Sequence, residues 1–425
     1  MELIVDLHVH SHYAYATSNT SDLENLYKWG KIKGITVIGT GDFTHPQWFA
    51  ELQQRLEPAE PGLFKLKDVI AKKIDETLPS SIKNNPIRFI LTTEVSTIYY
   101  KNGKARKLHS LITLPSFSAV KKFNNELSKK GRLDYDGRPV IGIDCKDLLK
   151  LSLLVDTESL FIPAHIWTPW FGMFGSKSGF DSIEEAFEEL AQEVKAIETG
   201  HSSDPFMNWR VDELQKVAVI SNSDAHSPSK LGREATVFNT DLDYFKIINS
   251  IKKNDEGLVG TIEFFPDEGK YHYDGHRACK VRFSPEETKR HKGVCPVCHR
   301  PLTVGVEYRV DELANHPEEY RPPHHKTVEY IIPVIEIISE LLGVKSGKKL
   351  QEEYQKIYTT LGNEFEILRK ISVEDISQQG FPQLAYAVDR LRKKDITIIP
   401  GYDGVYGVIQ LFSKDRQDQI TIETF

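Results

Sequence analysis

One rhythm constrains this chain more than any other feature. Through residues 1–265, short apolar runs rich in β-branched residues alternate with amphipathic or polar stretches, and several runs stop on a histidine or a carboxylate. Strands are expected at 3–7, 35–39, 87–92, 110–114, 160–163, 195–198, 217–221 and 258–264, with helices among the stretches between, for instance at 23–32, 63–74 and 183–194. Repeated strand and helix units build an α/β body, either a β/α barrel or a doubly wound sheet. Both arrangements carry their chemistry at the C-terminal ends of the strands.

The 425 residues suffice for two or three domains of roughly 150 each. With 40% hydrophobic and 27% charged residues the composition is that of a globular protein, and no apolar run approaches the roughly 20 residues of a membrane span. The opening MELIVDLHVH lacks the basic start and cleavage site of a signal peptide, so a cytoplasmic, nucleoid-associated protein is expected. Beyond residue 265 the texture changes. Residues 266–325 are rich in Pro, Gly, Cys, His and charge, as befits a small metal-stabilised unit, and 326–425 read as mostly helical, with helices at 328–342, 350–361 and 383–392.

Three of the four cysteines fall within 20 residues, which favours a metal over disulfides. His276-x2-Cys279-x15-Cys295-x2-Cys298 has the spacing of a zinc ribbon, and Cys-Pro-Val-Cys is a turn able to present two thiolates to one ion. His276 is preferred to His291 or His299 as the fourth ligand, because its spacing to Cys279 mirrors the other pair. Four ligands close the coordination shell, so the expectation is a structural zinc; buried free thiols are the alternative.

Asp6-Leu7-His8-Val9-His10 sets two imidazoles at i and i+2, on one face of an extended segment. Alone, such a pair is as often a surface feature as half a metal site. Further run ends carry the same chemistry, however: Asp42 after VIGTG, Glu94 after ILTT, then His109, His165, Asp224 and His226. Mixed imidazole and carboxylate donors suit Zn, Mn or Fe, and carboxylates able to bridge imply more than one ion.

In this order, DLHVHS, Glu94, His109, His165 and the closing SDAH resemble the polymerase and histidinol phosphatase (PHP) family of metal-dependent phosphoesterases, over residues 1–265. The resemblance implies a distorted seven-stranded β/α barrel. It implies one ion among His8, His10, Glu94 and Asp224, a second among Glu94, His109 and His165, and a third position faced by His226 and Asp42. Glu94, Asp224, His226 and Asp42 are then the expected catalytic groups. The usual Asp-His pair reads Asp42-Phe43 here, so two ions are as much in view as three. The cofactors expected are two or three divalent ions, Zn, Mn or Mg, beside the structural zinc. The reaction implied is phosphoester hydrolysis.

The whole arrangement resembles the endonuclease Q family, on VIGTGDFTHP, IETG with SSDPFMNWR, ISNSDAHSPSKLGREA, the CPVC ribbon and PGYDGVYG. That family implies cleavage of DNA, single- or double-stranded, on the 5′ side of a deaminated base (hypoxanthine, uracil or xanthine) or an abasic site. Local charge agrees with a phosphate partner: residues 276–309 hold eight Lys and Arg against three acids within a chain of net charge −7. Lys104 and Arg106 stand in a second basic strip just before His109. The loop after His165 places Trp167, Trp170, Phe171 and Phe174 beside a ligand, as a base-stacking wall or as a hydrophobic plug. Gly401 to Gly407 is turn-rich, and Gln410-Leu411-Phe412 faintly matches a sliding-clamp motif but continues an apolar strand pattern. Two other functions compete: a PHP-type phosphatase of small molecules, and an inactive nucleic-acid-binding module.

Overall fold

The computed structural model describes residues 1–412. It is a mixed α/β structure built on an 11-stranded sheet. The strands that position the site are β1 (Glu2–Asp6), β2 (Val37–Gly39), β3 (Arg88–Lys101), β4 (Lys104–Leu114), β5 (Leu160–Pro163), β6 (Ala196–Glu198), β7 (Ala218–Ile220), β8 (Ala235–Asn239), β9 (Leu258–Glu263) and β10 (Thr327–Tyr330). β1 pairs in parallel with β2 (Val5 opposite Val37), and β2 with β3. β3 and β4 form a long antiparallel hairpin. Asn102 and Gly103, both at positive φ, make its two-residue turn, the backbone shape that matches the twist of the strands. β4 pairs with β5. β6 and β7 lie parallel to each other, tied to the rest by Ile166 N to Glu198 O and by a parallel bridge between Val9 and Ala225. Hydrogen bonding therefore runs from β1 through β7 and returns to the residues just past β1.

Alternation along β1 sends Leu3 and Val5 into one apolar cluster with Val37, Ile90, Leu111, Ile162 and Ile220, closed off by Tyr244, Ile247 and Ile251 of the helix Tyr244–Lys253. The larger core lies between the sheet and the other helices. The helix Leu23–Lys33 shows why the helices sit where they do: Asp22 caps its start by accepting from Asn25 N, and Gly34 at φ 89° ends it.

Three expected helices are shorter than their patterns: within 183–194 the α-helix ends at Phe187, where Glu188 at φ 52° passes the chain into a tighter 3-10 turn. Within 63–74, Phe64–Leu66 is a strand paired with Leu56–Pro58, and the helix begins at Asp68. Within 328–342, Thr327–Tyr330 is β10, parallel to β9, and the helix begins at Val334 after Pro333. The last section thus adds a strand to the large sheet before its helices Val334–Leu342, Lys348–Leu361, Glu364–Arg369, Val373–Gln378 and Pro382–Arg392. Its residues 413–425 lie outside the described ones. Leu411 and Phe412 are buried, with their backbone N–H groups donating to Glu340, so these two side chains are core. Among the described residues no helix is long and apolar enough to cross a membrane.

Candidate metal centre

Segments at the ends of several strands bring polar side chains to one point. His8 and His10 follow β1, Glu94 lies in β3, His109 in β4, His165 follows β5, and Asp224 and His226 follow β7. Asp42, His165 and Asp224 hold positive φ angles of 48°, 32° and 46°, conformations that non-glycine residues avoid and that gather at functional sites.

Glu94 is the hub. It is 1% exposed; its Oε1 lies 2.7 Å from His109 Nδ1, 3.1 Å from His165 Nε2 and 3.6 Å from His8 Nε2, and its Oε2 lies 3.4 Å from His10 Nε2. Asp224 Oδ1 is 3.2 Å from His10 Nε2 and 3.6 Å from His8 Nε2. Three groups have donor atoms close enough to share an ion: His8, His10 and Glu94; His10, Asp224 and His226; and Glu94, His109 and His165. His8 Nε2, His10 Nε2 and Asp224 Oδ1 are buried without a hydrogen-bond partner, although buried polar atoms are nearly always paired. Lone pairs left bare at one point suit divalent cations.

The reverse sides of these ligands are held. His8 Nδ1 faces the Glu198 carboxylate at 3.0 Å, and Glu198 also accepts from Asn222 and from the His165 backbone N–H. His10 Nδ1 lies 3.0 Å from Asp42, which also accepts from Ser11 N and Oγ. Such partners fix ring orientation and leave the second nitrogen free for a metal. Asp42, expected to face a third ion, is therefore turned behind His10, because three donors hold both of its oxygens. Burial disfavours charge on His8 and His10, yet the surrounding carboxylates, Glu198 and Glu94 at His8 and Asp42 at His10, hold both well above the usual histidine range. Burial likewise opposes the Glu94 carboxylate, but His109, Arg138 and His8 outweigh it and hold Glu94 well below its ordinary range. Burial pushes His109 down to about 4, against the pull of the Glu94 carboxylate. Arg138, with Nη1 3.1 Å from Glu94 Oε2, is the basic group of the site.

The centre opens into a cleft of about 430 Å³, whose walls include Trp170, Phe171, Tyr271 and Tyr406. The aromatic loop divides between the two roles considered for it. Trp167 and Phe174 are 1% and 0% exposed and packed together, with Trp167 Nε1 donating to Asn208, so these two are core. Phe171 packs against His109 with the rings tilted and their centroids 4.5 Å apart, and Trp170 is 45% exposed against Tyr271. Lys104 is exposed. Arg106 is buried under Phe180 and paired with Glu185, so its charge is spent inside the protein rather than on a phosphate.

At the other cluster, His276, Cys279, Cys295 and Cys298 bring four donor atoms within 4.8 Å of one another, the four ligands expected from spacing. Cys298 Sγ lies 3.6 Å from His276 Nδ1. Glu198, Arg138 and Asn222 escaped the sequence reading; only Glu198, a carboxylate closing an apolar run, carried the signal that marked the others.

Residues 333–395 match the family model of the MJ0043 C-terminal domain. Over 289 residues the chain is 32% identical to protein MJ0043 of Methanocaldococcus jannaschii, a match that spans 63% of this chain and only 35% of that protein. Protein YqxK of Bacillus subtilis is 25% identical over 96% of this chain and 99% of its own length. Among solved structures, the lesion-specific endonuclease Q of Pyrococcus furiosus superposes with a TM-score of 0.83 at 27% identity, covering 96% of this chain and 95% of that one. An endonuclease Q complex with a 27-mer duplex bearing an abasic lesion at the active site superposes with a TM-score of 0.82 at 27% identity, covering 98% of each chain. Over nearly its whole length, the chain is similar to endonuclease Q.

Proposed function

We propose that this protein is a metal-dependent DNA repair endonuclease that hydrolyses the phosphodiester bond 5′ to a deaminated base or an abasic site. The observation that carries the reading is a set of three donor groups linked by Glu94 and His10, each belonging to two of them, in a chain similar to the endonuclease Q–duplex complex over 98% of its length. The strands β1 to β7 correspond, in this reading, to the distorted barrel of the PHP family, and the sections 1–265, 266–325 and 326–425 to a catalytic, a zinc-binding and a DNA-binding part.

His8, His10 and Glu94 would hold one ion, and Glu94, His109 and His165 a second, with His10, Asp224 and His226 around a third position. Adjacent divalent ions lower the pKa of a bound water and neutralise charge on a phosphate. The protein's own groups orient the substrate. Arg138, at the mouth of the cleft, offers a guanidinium for a non-bridging phosphate oxygen. Half-exposed His226 donates Nδ1–H to the Asp224 carbonyl at 2.9 Å, which leaves Nε2 as its free ring nitrogen. Trp170, Phe171, Tyr271 and Tyr406 supply apolar walls for an unstacked base. His276, Cys279, Cys295 and Cys298 fit a structural zinc.

The test uses end-labelled duplexes with one deoxyinosine, uracil or abasic site beside an undamaged control, with Mg²⁺, Mn²⁺ or Zn²⁺ and with a chelator. A single metal-dependent nick 5′ to the lesion, lost in Glu94→Ala and Asp224→Ala, is expected. Hydrolysis of para-nitrophenyl phosphate without any nick would replace the reading with a small-molecule phosphatase, and tight DNA binding without turnover would replace it with a binding module.

A further inference from the structure

A second cavity, of about 470 Å³, lies between residues 204–210, 265–286, 307–318 and the C-terminal section. Six carboxylates line it: Asp204, Asp267, Glu286, Glu307, Asp311 and Glu318. Against them stand Arg210, already paired with Glu307 at 3.1 Å and Asp311 at 2.7 Å, Lys289 on Asp311, Arg290 on Glu286 at 3.2 Å, and Lys394, so that Asp204, Asp267 and Glu318 are the carboxylates left over. Among the described residues, Asp204 and Glu318 have no basic side chain within ion-pairing distance, and Asp267 has only His272, at 3.6 Å. His272 lines the cavity, is 6% exposed, and keeps Nδ1 buried without a hydrogen-bond partner. A cavity that collects this much uncompensated charge and an idle acceptor is short of a cation.

The form of the cation follows from how the charge is spread. Among the described residues, no three donor atoms of this cavity come within 4.8 Å of one another, as they do at the metal centre, so a single small ion would not find a shell. The wall between the carboxylates is aromatic, with Phe265, Tyr273 and Tyr330. Tyr330 already takes an ammonium: Lys394 Nζ lies 4.8 Å from its ring centroid, while its hydroxyl donates to Asp204. Burial holds Asp204 and Asp267 above the usual carboxylate range, and pushes Glu307 up to about 7 despite Arg210. We propose that this cavity binds a linear aliphatic polyamine, a di- or triamine of the putrescine and spermidine class, with its ammonium groups on Asp267 and Glu318 and its methylenes along the aromatic wall. Because the cavity draws on all three sections of the chain, a bound polyamine would hold them together. The proposal is independent of the reaction assigned to the metal centre.

The test is calorimetric titration of the full-length, DNA-free protein with putrescine and spermidine at fixed ionic strength. One equivalent bound is expected, with affinity falling about tenfold, or 1.4 kcal/mol, in Asp267→Asn and in Glu318→Gln. Glu318 is exposed, so its variant keeps the fold, which a thermal melt checks. Absence of saturable binding up to millimolar amine, an affinity in both variants unchanged from that of the unaltered protein, or displacement of spermidine by equimolar Mg²⁺ would each overturn the proposal.

Discussion

At the scale of single residues, the centre is made by what stands behind its ligands as much as by the ligands. Asp42 fixes the His10 ring and Glu198 the His8 ring, each through Nδ1. Asp42→Asn keeps the shape but loses the charge. We expect it to weaken metal affinity by about 10- to 100-fold, read by titration with Mn²⁺ or Zn²⁺, with little change in secondary structure. A second residue sets a pH dependence. Glu263 is fully buried, and burial pushes it up to about 8 although Ser221 donates to it. The folded protein therefore keeps this proton to higher pH than the unfolded chain, whose carboxylate titrates near 4.5. Its stabilising contribution is complete below about 4.5 and is lost as pH rises toward 8. Glu263→Gln should flatten that decline, seen as a smaller difference in denaturant midpoint between acidic and mildly alkaline buffers in chelated protein.

At the scale of elements, the loop after β5 combines a plug and a wall, and mutation separates them. Phe174→Ala should cost about 3–5 kcal/mol in unfolding free energy, because the cavity left in a close-packed core cannot collapse fully. Trp170→Ala should leave the melting temperature nearly unchanged while slowing lesion cleavage, since half of that ring faces the cleft. The sequence made most strands legible, because runs such as 160–163 alternate or stay apolar between turn signals. It hid those whose partners define them: Ala235–Asn239 is a short run between turns and becomes a strand by lying between β1 and β9. The β3–β4 hairpin extends well past its apolar parts because Asn102-Gly103 lets polar strands keep pairing. The residues that gather at the centre were legible by their positions at run ends. Glu198, Arg138 and Asn222 were not, because their meaning lies in partners far along the chain. Trp167, Phe174 and Arg106 were read by residue type, and burial gave them a different use.

At the scale of the whole molecule, the C-terminal section is fastened to the body by a buried charge. Lys33 Nζ donates to Glu364 Oε1 at 2.6 Å, and Tyr354 donates to Glu364 Oε2 at 2.7 Å. Both charged side chains are almost fully buried, 2% and 3% exposed. Glu364→Ala strands the ammonium of Lys33 away from water and should destabilise the protein by about 3–5 kcal/mol, measured by equilibrium unfolding. Lys33→Met with Glu364→Leu should recover most of that loss.

The position of β1 has a consequence in time as well as in space. It lies between β8 and β2, and the residues just past it meet Ala225 across the parallel bridge. During synthesis His8 and His10 emerge well before Asp224 and before β8, which flanks β1 on the side away from β2. Contacts of such long range form late in folding. An intermediate in which Asp224 has not yet met His8 and His10 lacks the complete centre, so the centre is among the last parts of the body to assemble.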